Sequence, residues 1–180
     1  MRTLKYAILG LLNRKPMTGY DLSKEFNFQL CEFWNAKHSQ IYPELKKLVD
    51  EELIIFKVEV SGDILEKKVY YITERGKDEF LKWLAKDESM EPTPKNKFRL
   101  RMYFSNNLDI DTRITLLEHQ LLQHTKRLEF LQSQKSAYDK VPDIDGDYFG
   151  DYLVLDGAII REEGQIQWLK NCIDYCLSQK

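Results

Sequence analysis

Residues 39–46 read Ser39-Gln40-Ile41-Tyr42-Pro43-Glu44-Leu45-Lys46. Coiled as a helix, this stretch puts Ile41 and Leu45 on one side and Ser39, Tyr42, Pro43 and Lys46 on the other. That second side carries a hydroxyl, a phenol and an ammonium, and Gln40 adds both a donor and an acceptor. Such groups suit the edges of nucleic-acid bases. An amide matches adenine, a lysine reaches phosphate or guanine, and Pro43 offers only packing, as against a thymine methyl. Gln40 and Tyr42 are the first choices as base readers. A second group is Thr18-Gly19-Tyr20. A helix start here would offer backbone N–H groups to phosphate. Gly19 would let another backbone come close, and Tyr20 would cover sugar-phosphate. A third group, Lys67 and Lys68, suits phosphates or the minor groove.

Catalytic chemistry finds less support. The histidines are His38, His119 and His124, and the last two are five apart, which splits them around a helix. Cys172 and Cys176 could share a helix face, but no nearby histidine or further cysteine completes a tetrahedral metal site. The chain has no glycine-rich phosphate loop, no G-x-S-x-G elbow and no carboxylate pair that stands out. Neither an enzyme nor a bound metal or cofactor is expected. An odd set of three cysteines is no disulfide framework, and reduced thiols point to the cytoplasm. No apolar run approaches the ~20 residues that span a bilayer, and the first residues lack the pattern of a signal peptide.

The net charge is −2, from 27 basic and 29 acidic side chains, so the chain is not a uniformly basic polyanion binder. The charge is divided unevenly. Residues 1–86 carry 15 basic and 13 acidic side chains, residues 87–180 carry 12 and 16. A nucleic-acid-facing front and an acidic rear would show this split.

The elements that must position these groups follow from periodicity. Leu4, Ala7, Ile8, Leu11 and Leu12 recur at helical spacing and predict a helix near 3–13. Asn13 to Met17, with Pro16, predict a turn. Thr18 and Asp21 fit a capping box opening a helix to about 29, with Leu22, Phe26 and Leu30 inward. The third helix, about 39–51, buries Ile41, Leu45 and Leu48, and Pro43 should hold its start to within one turn. Residues 54–60 and 67–72 predict an antiparallel hairpin around Ser61-Gly62-Asp63. Thr73 then caps a fourth helix containing Phe80, Leu81, Trp83 and Leu84. The fold class is mainly α with a small antiparallel β-hairpin. Three helices, a hairpin and a helix make a winged helix-turn-helix over residues 1–86.

Residues 87–96, with Pro92 and Pro94, predict a linker. Residues 97–180 predict a C-terminal helical dimerisation domain. A short helix covers Lys97 to Phe104. A long one, about 110–138, carries Ile110, Ile114, Leu117, Leu121, His124, Leu128 and Leu131 at alternating spacings of four and three. The last, about 148–176, carries Tyr152, Leu155, Ile159, Ile166, Leu169 and Ile173. Long one-sided helices need partners. A homodimer supplies them; so would packing of the two on each other within a monomer. His124 is expected to be a satisfied histidine at the seam, with a proton-sensitive interface as the alternative.

Residues 1–86 resemble the amino-terminal domain of the PadR family of transcriptional repressors. The resemblance is carried by Leu4-Lys5-Tyr6-Ala7-Ile8-Leu9-Gly10-Leu11-Leu12 and by Met17-Thr18-Gly19-Tyr20-Asp21-Leu22. It continues through Phe33-Trp34-Asn35-Ala36-Lys37-His38-Ser39-Gln40-Ile41-Tyr42-Pro43-Glu44-Leu45 and Lys67-Lys68-Val69-Tyr70-Tyr71-Ile72-Thr73-Glu74-Arg75-Gly76. Length and wording are most similar to the branch that represses phenolic acid decarboxylase genes. The resemblance implies a repressor that binds a palindromic operator in double-stranded DNA as a homodimer. It also implies release by phenolic acids such as p-coumaric or ferulic acid. A planar phenol carboxylate needs aromatic walls, a cation and a hydroxyl partner, and Trp34, Arg101, Tyr103 and Tyr152 are the candidates for that effector site. The alternative is a winged-helix module that binds protein without reading DNA sequence.

Overall fold

The computed structural model describes residues 2–28, 37–61, 65–90 and 92–180. It divides into two compact units, Met1–Glu91 and Pro92–Lys180.

In the first unit, α1 (Thr3–Arg14) leads into a two-residue strand, β1 (Met17–Thr18), and then α2 (Gly19–Phe28). Next come α3 (His38–Asp50), β2 (Ile54–Ser61), β3 (Leu65–Ile72) and α4 (Glu74–Leu84). The sheet order is β1-β3-β2, antiparallel throughout. The hairpin was expected from its alternation, but β1 was not. Met17 pairs with Tyr70 and Thr18 with Val69, so the last residue of the expected turn and the capping Thr18 together form an edge strand. Two residues are too few for a period-2 signal, and the pairing depends on a strand about fifty residues away.

The apolar periodicity closes on one core. Ile8, Leu9 and Leu12 of α1, Leu22 and Phe26 of α2, and Ile41, Leu45 and Leu48 of α3 are buried together with Met17, Leu53, Ile54 and Tyr70. Each fully buried aliphatic side chain here contributes about 1.5–3 kcal/mol of transfer free energy. Thr73 caps α4, its hydroxyl accepting from the Gly76 amide at 3.0 Å. It also donates towards the carbonyls of Glu52 and Leu53. Gly76 is there of necessity, because a Cβ would sit 2.0 Å from the Leu53 carbonyl oxygen.

The second unit is a helical hairpin with a short helix added. It contains α5 (Lys97–Tyr103), a 3-10 turn at Ser105–Asn107, α6 (Ile110–Lys135) and α7 (Asp147–Leu177). The expected seam is used within the chain. Ile114 and Leu117 pack with Leu169 and Cys176 at one end, and Leu131 packs with Ala158 and Ile159 at the other. Phe98 and Met102 of α5 lean on the first cluster. Between the clusters lies a polar crossing. His124 Nδ1 meets Glu162 Oε2, and Arg127 Nε meets Glu162 Oε1 at 3.1 Å. His124 is therefore a partnered seam residue. Among the described residues, no helix is long and apolar enough to cross a membrane.

Candidate nucleic-acid interface

The start of α2 is built as a reciprocal cap. Thr18 donates to Asp21 Oδ2 through its backbone N–H at 3.0 Å and its hydroxyl at 2.7 Å, and the Asp21 amide donates back to Thr18 Oγ1 at 3.1 Å. These bonds, the Thr18 hydroxyl first, hold the Asp21 carboxyl below its ordinary pKa, and the charges of Lys67 and Lys15 assist. The cap takes the Asp21 amide and leaves those of Gly19 and Tyr20 outside the pair, at the positive end of the helix.

Gly19 is shaped by a side chain and not, as expected, by another backbone. A Cβ at this position would lie 2.8 Å from the ring of Tyr42. The Tyr42 phenol therefore rests on the first turn of α2 while remaining 42% exposed. This contact ties the polar face of α3 to the capped end of α2.

The wheel expected for α3 is the one observed. Ile41, Leu45 and Leu48 are fully buried, and Ser39, Gln40, Tyr42, Pro43 and Lys46 are exposed. Two details differ. Pro43 sits six residues into the helix, beyond the first turn expected of it. Its ring lies on the solvent side of α3. Gln40 does not offer both amide atoms outward. Its Oε1 accepts from the Lys37 N–H at 3.0 Å and closes the start of the helix, so a bidentate base contact requires that bond to open.

A further support was invisible to periodicity. Glu44, on α3, is only 7% exposed. Arg2 reaches it through Nε at 3.0 Å and through Nη2, and reaches Glu51 through Nη1. The two carboxylates, Glu51 foremost, raise the guanidinium pKa further above its ordinary value. One arginine preceding α1 thus ties the middle of α3 to the residue that follows its C-terminal end.

The wing supplies the third group. Lys67 lies opposite Glu59 and Lys68 opposite Val58. Lys68 Nζ lies 4.3 Å from the centre of the Phe56 ring, and Lys57 Nζ lies 5.2 Å from that of Tyr71. Rings beneath ammonium groups limit where the charges wander. Thr18, Gly19, Tyr20, Tyr42, Lys67 and Lys68 come together around one open groove of about 650 Å³. Asp21 and Tyr70 complete its lining; Tyr70 was missed as a site residue, although its strand neighbours were read. Its phenol pKa is raised, by burial first and then by Tyr42. Ser39, Gln40, Pro43 and Lys46 continue outward from Tyr42 along α3.

The effector candidates are not gathered in the same way. Trp34 lies outside the described residues. Tyr103 lines a cleft in the C-terminal unit, whereas Arg101, also on α5, does not. Tyr152 packs edge-on against Tyr138, with Lys135 over its ring. It stands two and a half turns along α7 from Arg161, where that cleft begins.

Known proteins match both units. Residues 8–82 fit the model of the transcriptional regulator PadR-like family, and residues 94–176 fit that of the virulence activator alpha C-terminal region. The negative transcriptional regulator PadR of Bacillus subtilis is 41% identical, over 96% of this chain and 97% of that one. The crystal structure of B. subtilis PadR in complex with operator DNA superposes with a TM-score of 0.93 at 40% identity, covering 97% of this chain and 99% of that one. The same protein in complex with p-coumaric acid gives 0.87 at 39% identity, with the same coverage.

Proposed function

The chain belongs to the PadR-like family of transcriptional regulators, and from that premise we propose that it is a cytoplasmic repressor, not an enzyme. It binds a palindromic operator as a homodimer and leaves it when phenolic acids such as p-coumaric or ferulic acid accumulate. The observation that carries this reading is the continuous polar surface from the capped start of α2, across Tyr42, along α3 and up to the wing lysines. An operator complex and a p-coumaric acid complex of a relative 41% identical to this chain support it.

The parts divide by the chemistry they offer. Thr18, Gly19 and Tyr20 meet phosphate through the helix start and the exposed phenol, and Lys67 and Lys68 meet phosphate from the wing. Ser39, Gln40, Tyr42, Pro43 and Lys46 enter the major groove, where Gln40 and Tyr42 read base edges. One such domain makes few specific contacts. Two related by a two-fold axis double them and require half-sites about 34–36 Å apart, or a multiple of that.

A gel shift at several salt concentrations tests this reading, using a palindrome from upstream of a phenolic acid decarboxylase gene against random DNA. Binding should favour the palindrome by about 10³-fold or more at physiological salt, and p-coumarate should release it. Equal affinity for the two DNAs would leave the protein-interaction module in its place.

A further inference from the structure

The wing carries an aromatic ring that burial only partly explains. On one face of the β2–β3 hairpin the cross-strand pairs are Ile54 with Ile72, Phe56 with Tyr70 and Val58 with Lys68. Exposure rises outward along β2, from the buried Ile54 to 38% at Phe56 and 51% at Val58. Phe56 therefore stands where the core gives out. A β-branched aliphatic residue would suit such a strand position equally well. What a ring adds is a π face, and Lys68 Nζ lies 4.3 Å from its centre. Lys67 is differently placed: it opposes Glu59 on the other face of the hairpin, where Glu59 accepts from the Tyr71 hydroxyl at 3.2 Å.

The ring is itself held. Phe56 and Tyr70 have centroids 5.9 Å apart, tilted by 57°. Tyr70 is buried in the middle strand, paired with Met17 on one side and Phe56 on the other. It also lines the groove that Tyr42 borders. Its phenol, with a raised pKa from burial and then from Tyr42, stays neutral and puts no anion beside a phosphate path. The row Lys68, Phe56, Tyr70 thus leads from the wing to the groove beneath the polar face of α3.

We propose that Phe56 is a positioning residue for DNA binding: it seats the Lys68 ammonium at a set place relative to α3, with Tyr70 as the joint between them. The proposal rests on the repressor reading above and deepens it. A lysine that wanders must lose rotamer freedom on meeting a phosphate, and one already resting on a ring has less to lose. Phe56 touches no DNA in this scheme. Its whole effect passes through Lys68.

The full chain is titrated by fluorescence anisotropy at several salt concentrations, on the palindrome and on random DNA. Phe56→Leu keeps the apolar bulk and loses the π face. It should weaken binding to both DNAs alike, by roughly two- to fivefold, and Phe56→Tyr should restore the native affinity. In a Lys68→Ala background, Phe56→Leu should cost nothing further, whereas a folding defect would add its own loss. NMR of the DNA-free chain supplies a readout independent of binding. The ring should move the Lys68 ε-methylene protons upfield in the native chain and in Phe56→Tyr, but not in Phe56→Leu. Tyr70→Phe keeps the joint and should keep that shift. Full affinity in Phe56→Leu, losses that add to those of Lys68→Ala, or an unshifted native Lys68 would each overturn the proposal. If Lys68→Ala costs no affinity, the proposal falls while reading by α3 stands. Equal native affinity for the two DNAs would remove the repressor reading, and the mutant cycle on random DNA would still decide for or against Phe56.

Discussion

Gly19 and Tyr42 come from different helices, and each determines what the other can be. A methyl at position 19 would lie 2.8 Å from the Tyr42 ring and press it outward, toward the side on which it is already 42% exposed. Gly19→Ala should therefore fold with little loss of stability and displace Tyr42. Operator affinity should fall roughly tenfold, about 1.4 kcal/mol, by fluorescence anisotropy; an unchanged value would mean that Tyr42 needs no such seat. Asp21 is the other residue with a defined task. Its carboxyl has a lowered pKa in the folded chain. Its contribution is thus complete above the unfolded carboxylate pKa, near ~4, and is lost as pH falls through the lower folded value. Asp21→Ala should cost about 0.5–1 kcal/mol in urea denaturation at pH 7, and the gap should narrow near pH 3. A gap that does not depend on pH would rule out the ionised cap. The capping pair was legible because both members lie within four residues. Glu44 was not, because its partner Arg2 is 42 positions away and only the fold brings them together.

At the scale of the element, α3 is an apolar stripe with a polar back, and a stripe is what periodicity reports. Its inward residues and exposed face were readable for that reason. The commitment of the Gln40 amide to Lys37 was not, because a side chain that bonds backwards along the chain leaves no period. Nor was the turn into β2. Glu52 holds a left-handed backbone, φ 58°, with no glycine to mark it. Glu52→Gly should be neutral or stabilising by up to about 1 kcal/mol in thermal unfolding, with the strain relieved set against the added freedom of the unfolded chain and the lost pair with Arg75. A clear loss would show that the Arg75 pair outweighs the strain. The wing and α3 should separate by salt dependence. Lys68→Ala should weaken binding to all sequences alike and reduce the slope of log K against log salt by about 0.9. Gln40→Ala should leave the slope alone and cost about 1–3 kcal/mol only on the correct site.

At the scale of the molecule, the seam of α6 was legible, but the helix it meets was not. Alternating spacings of four and three are identical whether the partner is another helix of the same chain or one from a second copy. The structure uses the seam internally, against α7. What remains is a second apolar set facing outward: Leu122 and Phe130 on α6, and Leu153, Val154 and Ile160 on α7. Leu153 and Ile160 are seven residues apart and lie on one side of α7, and Ile160 is 60% exposed. A two-helix hairpin with large aliphatic groups on its outer side is poorly hidden from water, and a second copy is the economical cover. The chain should therefore sediment at twice 21.4 kDa at micromolar concentration. Ile160→Glu would place a charge in that contact and shift the population to monomer without unfolding α7, because the side chain already stands outside the chain's own core. Operator affinity should then fall by at least about 10²-fold, since each monomer holds one half-site and loses the linkage between the two. If Ile160→Glu remains dimeric, the contact lies on another face. A native 21.4 kDa species that binds the palindrome with full affinity would refute dimeric recognition itself.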